Sequence, residues 1–228
     1  YTCAGSRGLR ATWAAEEAGV DVELKLLPFP PRFTVPEYLE TNPLGTVPML
    51  VEGEVQMTES CAIAHYLATK GADQSLVVAP GEPDYPAYLD FTYHADATIT
   101  FPQTVYMRFA LFEKDKGWSE AGEAYAKWFW KRLVKLEQRL ETREFLCADR
   151  FTVADICCGY ALILACRVGL DEGVPQSLRD YRDRLTAREG YRRAVAREAA
   201  GPVASWGSRS NTSLATTLGV PCRATIST

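Results

Sequence analysis

Asn42-Pro43-Leu44-Gly45-Thr46-Val47-Pro48-Met49-Leu50 is the stretch on which the reading of this chain turns. An Asn-Pro-x-Gly turn runs into a proline placed just ahead of an apolar strand. Proline is tolerated at a strand's first residue because no ladder bond is asked of its missing N–H. A cis Val47–Pro48 bond turns the Val47 amide and carbonyl outward. An exposed backbone pair of that kind can receive an extended peptide as an added strand. The plainer reading is a proline that only begins a strand.

Working outward, Thr46–Val51 and Glu54–Thr58 read as two short strands joined at Gly53, a hairpin. Glu59–Lys70 returns to helical spacing through Ile63, Tyr66 and Leu67. Upstream, Ser6–Ala18 has an amphipathic pattern that ends at Gly19. Asp21–Leu27 alternates as a strand, and Tyr1 opens inside another. Pro28–Pro36 is proline-rich and reads as loop. The order β-α-β-α-β-β-α with a crossover predicts a mixed sheet.

From Gly81 the pattern is almost wholly helical: 85–114, 119–141 and 152–168, then two shorter runs near 176–188 and 190–198. Pro102 falls inside the first run and is expected to kink it. Thr152 and Asp155, with Phe151 and Ile156, form a capping box and hydrophobic staple. The division that follows is 1–75, 84–200 and a tail, 201–228, that carries no acid and lacks periodicity. The tail reads as disordered.

The whole chain has 228 residues, 47% hydrophobic and 24% charged, with a net charge of −4. A mildly acidic pI near 5.4 without a basic block argues against nucleic acid. No apolar run approaches the ~20 residues of a membrane span. Seven cysteines with no paired spacing and only two histidines argue against both a zinc site and a disulfide framework. Reduced thiols suit a cytoplasmic location.

Three motifs in this order, Gly5-Ser6-Arg7-Gly8, 42–50 and Met57-Thr58-Glu59-Ser60, followed by a helical domain, resemble a cytosolic glutathione S-transferase of the bacterial, serine-type kind. The resemblance spans about 1–200. It implies a thioredoxin-like α/β first domain and an all-α second one, working as a homodimer. It also implies an enzyme, with glutathione as co-substrate, no metal, and a small hydrophobic electrophile as the other reactant.

The resemblance carries roles for particular residues. Val47 and Pro48 bind the peptide backbone of glutathione. At a helix N-terminus that suits a carboxylate, Ser60 hydrogen-bonds the γ-glutamyl carboxylate and Glu59 pairs with its ammonium; the plainer reading is that both merely cap the helix. Relatives often carry Lys where this chain has Thr46, and Arg32 is the expected substitute for holding the glycine carboxylate. Ser6 is the expected catalytic residue, its hydroxyl donating to the bound thiolate beside a helix N-terminus, although an N-cap is the ordinary work of a serine there. Cys3 is the competing residue and implies a thiol transferase or lyase. A non-catalytic protein-interaction module is the alternative of a different class. The electrophile pocket is assigned to Tyr93, Asp96, Ile99, Thr100, Gln103, Tyr106 and Met107 on the kinked helix, by i, i+3, i+4 spacing.

Overall fold

The structure is a computed structural model that describes residues 1–201. The expected tail lies outside the described residues from 202 onward.

The chain forms two compact units. Among the described residues the first comprises Tyr1–Val77 and 186–201. Its regular strands are β1 (Leu50–Glu52) and β2 (Val55–Met57), an antiparallel pair with Val51 opposite Gln56. Gly53 turns between them at φ +57°. The rest of the expected sheet is reduced to single steps. Tyr1 and Met49 exchange both backbone bonds, at 2.8 and 3.0 Å. Thr2 bridges Leu26 in parallel, with Thr2 N–H on the Lys25 carbonyl and Leu27 N–H on that of Thr2. The N-terminal segment therefore lies between residues 25–27 and 49–52, parallel to one and antiparallel to the other. That is the mixed order the sequence predicts, but Asp21–Leu27 is bridged only at Leu26 rather than along its length.

Helices α1 (Leu9–Ala18) and α4 (Ser60–Ala68) pack on each other. Gly19, left-handed at φ +66°, ends α1 by returning its N–H to Ala15. Between them are two single turns, α2 (Pro31–Thr34) and α3 (Tyr38–Thr41). Pro31 at the first helical position corrects the loop expected over 28–36: a proline there sacrifices no hydrogen bond and its fixed φ suits a helical turn. Phe29–Pro30 is cis as well as Val47–Pro48.

The second unit, Val78–Leu185, is helical throughout. It holds α5 (Tyr85–His94), α6 (Phe101–Tyr106), α7 (Ser119–Arg132), α8 (Val134–Leu140), α9 (Val153–Arg167) and α10 (Gln176–Thr186). Every residue of α9 except Cys166 is buried. Asp155 anchors its start from within. This fully buried carboxylate accepts the Thr152 N–H at 2.8 Å, the Leu146 N–H at 2.9 Å and the Tyr181 hydroxyl at 2.6 Å. The Thr152 hydroxyl adds a fourth donor at 3.1 Å. The expected capping box is present and extends beyond its own helix.

Pro102 does not produce a simple kink. α5 continues into a π-helical turn, Ala95–Thr100, before α6, and a second π-turn, Met107–Phe112, follows. The widened turn accommodates the missing proline N–H. Side chains take up the loosened carbonyls: Thr100 Oγ1 donates to Ala95 at 2.6 Å and Gln103 Nε2 to Ile99 at 2.8 Å.

The last described helix, α11 (Glu189–Ala199), packs on α1 and so belongs to the first unit, not to the helical domain to which the 84–200 division assigned it. Two acids on α1 hold it. Arg188 grips Glu17 bidentately at 2.8 Å, and Arg193 and Arg197 converge on Glu16 at 2.8 and 2.6 Å. Burial raises the Glu16 carboxyl, but the hydrogen bonds from Arg197 and Arg193 leave it below its usual range. Trp13 meets Tyr191 edge to face at 5.0 Å in the same seam.

Candidate functional site

Ser6 lies in the turn between the N-terminal segment and α1. Its N–H donates to the Cys3 carbonyl at 3.0 Å, and its carbonyl receives the Leu9 N–H. Its side-chain oxygen accepts the Gly8 N–H at 3.1 Å and stands 3.4 Å from the Thr2 hydroxyl. Gly8 is required at this closeness: a Cβ there would lie 1.9 Å from Thr2 Oγ1. Ser6 is not the expected N-cap: α1 starts at Leu9 with Gly8 as its N-cap and no side-chain cap bond, and the Ser6 oxygen instead closes the turn ahead of the helix. An oxygen that accepts an N–H keeps a proton of its own to donate, with Thr2 Oγ1 as the acceptor already within reach.

The turn at 42–48 is held from behind. Asn42 and the Tyr38 hydroxyl both donate to the Thr46 carbonyl at 2.8 Å, while Asn42 Oδ1 accepts the Leu44 N–H. Neither the N–H nor the carbonyl of Val47 has a hydrogen-bond partner among the described residues. The Val47–Pro48 bond is cis. Gly45, at φ +59°, lies against Arg32, where a Cβ would meet the Arg32 Cβ at 2.6 Å. Arg32 is exposed beside this turn, its guanidinium 4.8 Å over the Phe33 ring.

At the start of α4, Glu59 is the N-cap in extended conformation and is exposed. It has no ion-pair partner among the described residues. Ser60 is buried, and its hydroxyl oxygen accepts from Arg10 of α1 at 2.9 Å. A hydroxyl that already accepts from a cation directs its own proton away from it. These three clusters are joined through the first unit's interior. Ser6 meets Thr2, the adjacent Tyr1 pairs with Met49 next to Pro48, and α1 reaches Ser60 through Arg10. The result is an unpaired peptide edge at Val47, a helix N-terminus at Ser60 and a hydroxyl at Ser6, all set on one small framework.

Residues 1–69 match the family model described as "Glutathione S-transferase, N-terminal domain". Glutathione S-transferase 1 of Manduca sexta is 31% identical over 163 residues, which are 69% of this chain and 71% of that protein. The chain belongs to the glutathione S-transferases. A solved sphingomonad glutathione S-transferase complexed with glutathione is 25% identical and superposes with a TM-score of 0.75, covering 86% of this chain and 96% of that one. A probable elongation factor 1-gamma 2 of Arabidopsis thaliana is 32% identical over 162 residues, 68% of this chain but 38% of that protein.

In this transferase Cys3 is 1% exposed, and burial, helped by the Glu198 carboxylate, pushes its thiol up to about 12. A thiol so protonated is a poor nucleophile. Among the described residues no group of His, Cys, Asp and Glu is placed to hold a metal, and no helix is long and apolar enough to cross a membrane.

The expected pocket residues divide. Thr100 and Gln103 are fully buried, and Gln103 Nε2 also donates to Ala161 of α9 at 3.0 Å, so both serve the helical unit's own interior. Ile99 is fully buried with them. The i, i+3, i+4 count assumes 3.6 residues per turn, and the π-turn over 95–100 breaks it. Tyr93 is exposed; Asp96, Tyr106 and Met107 are half-buried. Sequence reasoning missed Asn42, Tyr38 and Thr2 as the residues that hold the site. Asn42 alone had a signal, its place before Pro43 and Gly45 in an Asx-type turn.

Proposed function

We propose that this glutathione S-transferase binds reduced glutathione in its first unit and uses Ser6 to stabilise the glutathione thiolate for attack on a hydrophobic electrophile. The observation that carries this reading is the Ser6 hydroxyl in the turn ahead of α1, which accepts the Gly8 N–H and is held otherwise only by a long 3.4 Å contact with Thr2 that a stronger, anionic acceptor would displace. A thiolate beside it and the N-terminal end of α1 gains a charge-assisted hydrogen bond and a favourable dipole. Val47 supplies the unpaired N–H and carbonyl for the peptide, Pro48 sets that edge, and Thr46 lines it. Ser60, backed by Arg10, donates to the γ-glutamyl carboxylate, and Glu59 takes the ammonium. Arg32, beside Gly45, serves the glycine carboxylate. Glutathione held in the sphingomonad relative accords with this assignment.

Tyr93, Asp96 and Tyr106 remain the proposed lining for the electrophile. The enzyme is proposed to act as a homodimer in the cytoplasm. A sedimentation profile with only a monomer of 25.3 kDa at micromolar concentration contradicts the dimer. The similarity to a protein named as an elongation factor and not as a transferase supports one second reading, a non-catalytic member of the fold that serves as an interaction module. Titration with reduced glutathione by calorimetry separates the two: a saturable signal lost in Glu59→Ala supports the enzyme reading, and a flat titration of folded protein supports the module.

A further inference from the structure

We infer that Glu198, near the end of α11, is a positioning residue for the turn that carries Ser6. The inference rests on the thiolate-stabilising role of Ser6 proposed above.

Glu198 is 2% exposed. Its Oε2 accepts the Gly5 N–H at 3.0 Å and its Oε1 accepts the Thr12 hydroxyl at 3.0 Å. The first bond spans 193 residues of sequence and lands on the residue immediately before Ser6. The other hydrogen bonds of Ser6 among the described residues are local, made with Thr2, Cys3, Gly8 and Leu9. Gly5 is left-handed at φ +70°, a backbone state with shallow preferences that a single strong acceptor can hold in place. Thr12, one turn into α1, fixes the other carboxylate oxygen relative to the helix. Glu198 therefore ties the turn to the helix on either side of Ser6.

Docking of α11 does not need this carboxylate. Arg188, Arg193 and Arg197 already bind α1 from the outer side of the seam. A carboxylate carried into the interior costs desolvation unless it is well hydrogen-bonded. It also disfavours a nearby anion, as its effect on Cys3 illustrates. What it does here, and what an apolar side chain could not do, is aim the Gly5–Ser6 peptide. The hydroxyl direction then follows, and a donor displaced by about 1 Å loses much of its effect on the reacting atom.

The test is a double-variant cycle on the full chain with reduced glutathione and an activated aryl chloride, whose chloride the thiolate displaces. Glu198→Ala should lower kcat about tenfold and change the KM for glutathione less than about twofold. The Ser6→Ala/Glu198→Ala double variant should be no slower than Ser6→Ala alone, because Glu198 acts through Ser6. Glu198→Gln keeps an acceptor for Gly5, and the Thr12 hydroxyl can turn to accept its amide, so it should stay within about threefold of the parent.

Losses that multiply in the double variant show that Glu198 acts independently of Ser6 and overturn the inference alone. So does a folded Glu198→Gln as slow as Glu198→Ala, or a Glu198→Ala with parental kcat. Should Glu198→Ala not fold, Thr12→Val decides: it frees one carboxylate oxygen from α1 and should lower kcat about threefold with the KM for glutathione unchanged, whereas a parental kcat in Thr12→Val overturns the inference. If Ser6→Ala itself leaves turnover intact, the Ser6 reading fails first and the inference falls with it.

Discussion

The two units reach order by opposite means. In the helical unit, α9 is buried on nearly every side and its first turn is closed by Asp155, so regular structure and apolar packing do the holding. In the first unit the regular strands are three residues each, and the site is held by individual hydrogen bonds: Asn42 and Tyr38 on Thr46, Arg10 on Ser60, Glu198 on Gly5. The binding and catalytic groups proposed for the first unit, Ser6, Val47, Glu59 and Ser60, stand at element ends. There the backbone still has donors and acceptors to offer. Chemistry placed on ends needs point anchors, whereas a helix interior needs a packed surface.

Asp155→Ala is the severest test of this contrast. It strands four buried donors at once, from Thr152, Leu146 and Tyr181, so unfolding in urea should show a loss of about 4 kcal/mol. A loss under about 1 kcal/mol contradicts the assignment of that carboxylate as the anchor of α9. Gly8→Ala tests a point anchor in the first unit. Its new Cβ would collide with Thr2, and a loss of about 2 kcal/mol is expected, with damage to the Ser6 turn visible as reduced turnover.

Glu59→Ala should do the reverse of Asp155→Ala. Its side chain is exposed and without an ion-pair partner among the described residues, so stability should hold within about 0.5 kcal/mol. Glutathione affinity should fall about tenfold or more on calorimetry, as the loss of one charge-assisted bond requires. A stability loss larger than the affinity loss makes Glu59 a cap only.

Acid should reveal the smallest difference. Glu82 is held at about 2, below its ordinary 4.5, by the paired hydrogen bonds of Arg150 and by the Ala79 N–H. Because the folded value lies below the unfolded one, its contribution is fully present above about 4.5 and disappears as pH falls towards 2. Glu82→Gln should lower stability at neutral pH by the amount the parent loses across that window, and so flatten the acid limb of a stability–pH curve until the two proteins converge near pH 2. An identical acid limb in the variant contradicts this.

The contrast also explains what was legible. Thr152 with Asp155, Gly19 after α1 and Pro48 before β1 are signals confined to a few neighbouring residues, and each lies where the spacing placed it. The pocket assignment failed at Thr100 and Gln103 because a π-turn shifts the helix face, and nothing in the residue pattern announces a change of pitch. The turn at Pro31 was read as loop because prolines mark both loops and helix starts. α11 was placed in the wrong unit because helical periodicity shows that a face is covered but not by what. The pairing of Glu16 and Glu17 with three distant arginines, the Trp13–Tyr191 contact and the Thr12–Glu198 bond show that α1 covers it.

The central claim is that Ser6, and not Cys3, ionises the glutathione thiol, and the thiolate absorbance of bound glutathione titrated against pH measures it directly. The parent enzyme should show the bound thiol ionised near neutral pH, and Ser6→Ala should move that titration upward by about 1–2 pH units, the equivalent of one charge-assisted hydrogen bond. Cys3→Ala should titrate as the parent does. A Ser6→Ala curve that overlays the parent, together with activity abolished by Cys3→Ala, contradicts the account and makes a mixed disulfide at Cys3 the mechanism.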